Sequence, residues 1–150
     1  MLNQKLTTAL IVAWIIFGAT STTLAAVNTF SDVPLGHWAF QSVTALASKG
    51  IINGYGNGTF RGDRNITRYE AATMIAKFLK PKGNIINNDT TNDELPFSDV
   101  QKNHWAKNAV IVLATKGIIN GYGDGTFRGN KNITRYEASE MIAKTISARS

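Results

Sequence analysis

Apolar residues in this chain fall into two patterns, one continuous and one periodic. The continuous run is Ala9-Leu-Ile-Val-Ala-Trp-Ile-Ile-Phe-Gly-Ala19, preceded by Lys5 and followed by polar Thr20-Ser-Thr-Thr23 and small Leu24-Ala25-Ala26. Basic, apolar and small-residue segments in that order make residues 1–26 a secretory signal peptide, expected to be cut after Ala25 or Ala26. The alternative, an uncleaved anchor, is opposed by length, since a spanning helix needs about 20 apolar residues. No membrane span is expected once the leader is removed.

The periodic pattern begins after a turn-forming stretch, Asp32-Val-Pro-Leu-Gly36. Trp38, Val43, Leu46 and Ala47 recur close to the helical period. Lys49 and Gly50 then supply a stop: a cation near the negative helix end, followed by a residue that tolerates the left-handed conformation. The Gly/Asn-rich segment Asn53 to Asn65 is too rich in glycine for regular helix. Tyr55 and Phe60 are expected to pin it to the core. A second helix starts at Thr67-Arg-Tyr-Glu70, a Thr-x-x-Glu capping box. Its expected apolar face is Met74, Ile75 and Phe78, with Ile66 stapled onto the first turn.

The whole pattern then repeats. Phe30-Ser-Asp-Val33 returns 67 residues later as Phe97-Ser-Asp-Val100, and His37-Trp38-Ala39 as His104-Trp105-Ala106. Lys49–Gly56, Gly58–Gly62 and Asn65–Ala71 return without a gap as Lys116–Gly123, Gly125–Gly129 and Asn132–Ala138, so Thr134 and Glu137 form the second capping box. A fixed period signals one supersecondary unit used more than once. The polar, Pro-bounded stretch 80–96 reads as a linker between modules at 27–79 and 97–150. The expected fold is mainly α: two tandem helix-loop-helix modules with Gly-rich loops, packed as a small pseudo-symmetric bundle. A unit of about 50 residues buries too little apolar surface alone.

Composition narrows the function. With 43% hydrophobic and 17% charged residues the chain is globular in type. A net charge of +6 favours polyanionic partners. The absence of cysteine excludes disulfides, thiol nucleophiles and Cys-based zinc sites.

Phe-Ser-Asp-Val, His-Trp-Ala, Gly-Ile-Ile-Asn-Gly-Tyr-Gly and Ile-Thr-Arg-Tyr-Glu-Ala, in fixed order and found twice, resemble the S-layer homology (SLH) module over Phe30–Leu79 and Phe97–Ile146. The resemblance implies an exported bacterial envelope protein that binds cell-wall polymer non-covalently. The ligand class it implies is a secondary wall polysaccharide, often carrying pyruvate ketals, or modified peptidoglycan. The family commonly carries three modules in pseudo-threefold array; two are seen here. Its Thr-Arg-Ala-Glu motif appears here with Tyr beside the arginine, which enlarges the groove residue.

Arg68 and Arg135 are the leading ligand candidates. A cation in the first helical turn opposes the macrodipole and becomes favourable when an anion is shared with the free helix amides. The alternative is a salt bridge to Asp32, Asp99 or another carboxylate. Trp38 and Trp105 read equally as core anchors or sugar platforms. Asp32 and Asp99 are candidates for sugar hydroxyls or the arginines, with a turn or helix-start cap as the blander role. Gly54 and Gly121, with the neighbouring loop glycines, serve either positive-φ turns or close backbone approach by a sugar. Thr67, Glu70, Thr134 and Glu137 are caps first. His37 and His104 lack metal-ligand spacing or a nucleophile partner, and Asp124 lacks a calcium-loop ladder. No metal or cofactor is implied. Asn57, Asn65, Asn88 and Asn132 fit glycosylation sequons that a bacterial setting leaves idle. No paired acid and base stand out for an enzyme. The leader and the lack of a basic run oppose nucleic acid. The expected function is a non-catalytic cell-wall anchor; the rival is an envelope adaptor whose main partner is another protein, itself or another SLH chain.

Overall fold

The computed structural model describes residues 30–79 and 95–149; the expected leader, Asn88 and most of the expected linker lie outside the described residues. Four helices follow one another: α1 (Phe40–Ser48), α2 (Arg68–Leu79), α3 (Lys107–Thr115) and α4 (Arg135–Ser147). Among the described residues the only β pairing is a single antiparallel bridge, Thr67 to Asn132. No described helix is long and apolar enough to cross a membrane.

The stop after α1 forms as its sequence requires. Gly50 adopts φ 68°, its amide donates to Ala47 O (2.9 Å), and Ile51 N donates to Leu46 O (3.0 Å). These are the two bonds of a Schellman cap, closed by the apolar contact of Ile51 with Leu46 in one cluster. α3 ends the same way at Gly117 and Ile118. Both capping boxes are complete: Glu70 N and Glu137 N donate to the Thr67 and Thr134 hydroxyls (3.2 Å each), and the glutamates accept from the threonine amides at 2.7 and 2.9 Å. The starts of α1 and α3 have no side-chain cap, and the histidines bond one residue earlier. His37 Nδ1 and His104 Nδ1 accept from Ala39 N and Ala106 N, each at 3.2 Å.

Three placements differ from the sequence reading. α1 begins at Phe40, so Trp38 precedes the helix and is 92% exposed instead of lining its buried face. On α2, Phe78 lies at the surface beneath the Arg149 guanidinium, while Tyr69, Ala72 and Ala76 are buried. Small side chains win there because α2 must approach α3 closely. Of the two loop aromatics, Phe60 packs on the first core, while Tyr55 lies half-buried beneath Arg61.

Two cores result, and they are unequal. The first module owns a small one around Val33, Val43, Ala47, Ile51 and Ile52. The larger one joins Tyr69, Ala71, Ala72 and Ala76 of α2 to Ala109, Val110 and Leu113 of α3, and to Phe97, Phe127 and Met141. α2 therefore folds with the second module as much as with its own.

Candidate ligand cleft

Each module carries the same socket, built where the Gly-rich loop returns to the helix pair. An aspartate holds the loop in place. Asp32 accepts from Phe60 N (2.8 Å) and Arg61 N (2.7 Å), and Asp99 accepts from Phe127 N and Arg128 N, both at 2.7 Å. This clasp fixes Arg61 and Arg128 in the left-handed region (φ 56° and 53°), an uncommon conformation for a residue with a Cβ. The amide bonds, Phe60 N first, hold the Asp32 carboxyl below its usual range. Asp32 and Asp99 are thus committed to the loop. Gly54 and Gly121 answer an internal demand too: a Cβ at Gly54 would stand 2.3 Å from the Phe30 ring, and one at Gly121 2.4 Å from Phe97.

In the second module the socket is filled by the first. Arg68, with its side chain only 7% exposed, donates from Nε to Phe127 O (2.9 Å), from Nη1 to Glu137 Oε1 (2.8 Å) and from Nη2 to Asn120 O (3.0 Å). Its guanidinium lies 4.7 Å from the Phe127 ring centre. A buried cation needs this degree of satisfaction. Tyr69 follows it in, with its ring 4.0 Å from His104 and 5.5 Å from Phe127, over Gly129, where a Cβ would meet it at 2.1 Å. Burial raises the Tyr69 phenol pKa. Backbone bonds from Arg68 N to Lys131 O and Tyr69 N to Gly129 O, both 2.9 Å, complete the seam. Arg68 does not face outward as the helix-terminus argument expected; its anion is Glu137, a carboxylate the sequence reading assigned to capping alone. Glu137 does both, and its carboxyl is held below the usual range by the Thr134 amide first, with the Tyr122 hydroxyl and Arg68 adding to it.

In the first module the same socket is open. It forms a cavity of about 300 Å³, against about 140 Å³ around the seated Arg68. Asn53, Tyr55, Phe60 and Glu70 line it, and Trp105 reaches across from the second module as an exposed aromatic wall. The two copies differ here in charge. Arg128 pairs with Asp124 (2.7 Å) and Lys144 with Glu140 (2.7 Å). At the matching positions the first module has Asn57 and Thr73. Among the described residues Arg61 and Lys77 consequently form no salt bridge, although Asp32 feels the Arg61 charge. In the orientation that satisfies both ends of its amide, Asn53 accepts from Lys77 Nζ at 3.0 Å. The buried hydroxyl of Thr73, a residue of the cavity lining, has no hydrogen-bond partner among the described residues. Glu70 is the one carboxylate of this lining and is already paired with Arg64. The cleft is therefore cationic, with aromatic faces at Tyr55 and Trp105. Sequence reasoning missed Arg61, Arg64 and Lys77; the signal was the loss of Asp124 and Glu140 counterparts in the first copy.

Residues 29–72 and 96–139 both match the S-layer homology domain. The chain belongs to the SLH family. It is 36% identical over 118 residues to a cellulosome-anchoring protein of Acetivibrio thermocellus, a match covering 79% of this chain and 26% of that protein. It is 32% identical over 142 residues to the S-layer protein sap of Bacillus anthracis, covering 94% of this chain and 16% of that one. An 87-residue match to the outer membrane protein SlpA of Thermus thermophilus is 44% identical, covering 58% and 9%. This SLH chain thus spans about a quarter or less of these relatives, all of them proteins of the bacterial cell surface.

Proposed function

We propose that this SLH chain is a non-catalytic anchor that attaches non-covalently to an anionic cell-wall polysaccharide or to modified peptidoglycan, with the open first-module cleft as its binding site. The observation that carries the reading is the pair of cations that form no salt bridge, Arg61 and Lys77, beside Tyr55 and Trp105. Acidic sugars offer carboxylates to the cations and apolar ring faces to the aromatics. The likeness to a cellulosome-anchoring protein supports an anchoring role.

A mild pair of substitutions tests this. Asn57→Asp places a carboxylate beside Arg61, as Asp124 lies beside Arg128, and Lys77→Gln removes the second charge while keeping a donor for Asn53. Each neutralised cation should lose a charge-assisted contact, together lowering affinity for a purified wall-polymer fragment by roughly 30- to 1,000-fold. Titration calorimetry showing unchanged affinity in the double variant would remove this cleft as the site.

A further inference from the structure

The two modules show one interface half-used at each end. Inside the chain, the start of α2 enters the second module's socket through Arg68 and Tyr69. The start of α4 carries the same residues, Arg135 and Tyr136, and the first module carries the same socket. We propose that Arg135 and Tyr136 of one copy dock into the open first-module socket of a second copy, reproducing between chains the seam that joins the modules within one.

The surfaces fit this occupant. Tyr136 is 92% exposed where its counterpart Tyr69 is 4% exposed. The Arg135 side chain has no hydrogen-bond or ion-pair partner among the described residues, where Arg68 has three acceptors. Further along the helix, exposed Ile142 matches Ile75, which packs on the larger core. On the receiving side, half-buried Ala39, just before α1, and Leu46 of α1 match Ala106 and Leu113, which α2 helps to bury completely. Gly62 matches Gly129, the residue on which Tyr69 lies; beside Gly62 there is no tyrosine, only the edge of its own module's Phe60 ring. The carbonyls needed for Arg135, at Phe60 and Asn53, accept no bond among the described residues, unlike those of Phe127 and Asn120.

One group stands in the way, and weakly. Arg64 pairs with Glu70, as Arg68 pairs with Glu137. Its side chain is half-exposed, and surface pairs of this kind contribute little, so an incoming arginine with a tyrosine beside it displaces it. A filled socket still leaves room, since about 140 Å³ remains beside Arg68 in the second module. The contact is heterologous, the protruding end of one copy meeting the recessed end of the next, so it closes into a ring or continues as a filament.

Two variants isolate the two sides. Arg135→Glu with Tyr136→Ser disables the protruding end at exposed positions. Gly62→Ala disables the socket: its Cβ would sit 3.3 Å from the edge of the half-buried Phe60 ring, which must give by a few tenths of an ångström, and under an incoming tyrosine as at Gly129. The measurement is sedimentation velocity of the chain as recovered from the producing cell, across a concentration series and without wall polymer, so that it is independent of the polymer reading. The unaltered chain should associate with rising concentration. Each variant alone should need at least about thirtyfold more protein to do so, the loss typical of an aromatic or arginine anchor. Mixed together, the two variants should form a 1:1 complex that grows no further, because one intact end of each kind remains. An unaltered chain that stays monomeric throughout, variants that associate as readily as it does, or a mixture that forms no 1:1 complex would each overturn the proposal.

Discussion

Glu70 and Glu137 occupy the same place in the same motif, and the structure assigns them different weights. Both close a capping box, worth about 1 kcal/mol. The remaining oxygen separates them. In Glu70 it meets half-exposed Arg64, a surface pair worth about 0–1 kcal/mol. In Glu137 it meets Arg68, whose side chain is 7% exposed, at 2.8 Å, and the Tyr122 hydroxyl at 3.0 Å. Removing one partner of a buried pair costs about 3–5 kcal/mol. Glu137 is 23% exposed, so screening trims this to about 2–3 kcal/mol. Glu70→Ala should therefore cost about 1–2 kcal/mol and Glu137→Ala about 3–4. In a folded body of this size that is a fall of roughly 5–10 °C in Tm against 15 °C or more. Urea and thermal melts of the two variants measure the difference. A double-mutant cycle of Glu137→Ala with Arg68→Ala should return about 2 kcal/mol of coupling. Equal losses from the two glutamates, or coupling below about 0.5 kcal/mol, would refute the claim that Arg68 and Glu137 hold the modules together.

The same carboxylate sets an acid limit. Its folded pKa is depressed, so its stabilisation is complete above the ordinary glutamate value and is lost as pH falls through the lowered one; Glu137→Gln should flatten that part of the stability–pH curve, and an unchanged curve would contradict it. Gly129→Ala should cost about 1–3 kcal/mol through collision with the buried Tyr69 ring, while Gly62→Ala should cost less, because the half-buried Phe60 ring need shift only slightly; comparison of the two melts decides it. At the N-terminus, mass spectrometry of the protein recovered from its source should find Ala26 or Val27 as the first residue. An intact Met1–Ala26 segment would mean an anchored form instead.

Much of the fold was readable because its signals are local. Capping boxes, a Schellman stop and an offset of 67 residues are written in neighbouring residues, and each appears where the spacing puts it. The site was less readable because its logic is non-local. Arg68 looks like an anion-binding residue at a helix start; only the docking of α2 against the second module, 69 residues from Glu137, reveals the anion as internal. Asp32 and Gly54 carry signals shared by ligand sites and tight loops, and the loop claims both. Repetition itself misled, since two identical motifs invite identical roles. One Arg-Tyr pair is buried in a socket and the other stands in solvent. What the copies do not share, Asn57 for Asp124 and Thr73 for Glu140, distinguishes the cationic cleft from its neutralised twin.

Attachment to an anionic wall polymer is tested most directly by co-sedimentation with purified wall sacculi, before and after chemical removal of their secondary polymer. The account predicts that the chain pellets with intact sacculi, is released as salt rises because its cleft is cationic, and stays in solution with stripped ones. For walls whose ligand is modified peptidoglycan, removal of that modification replaces stripping in the same assay. Failure to pellet with any sacculus preparation, or equal pelleting with stripped and intact ones, would contradict it.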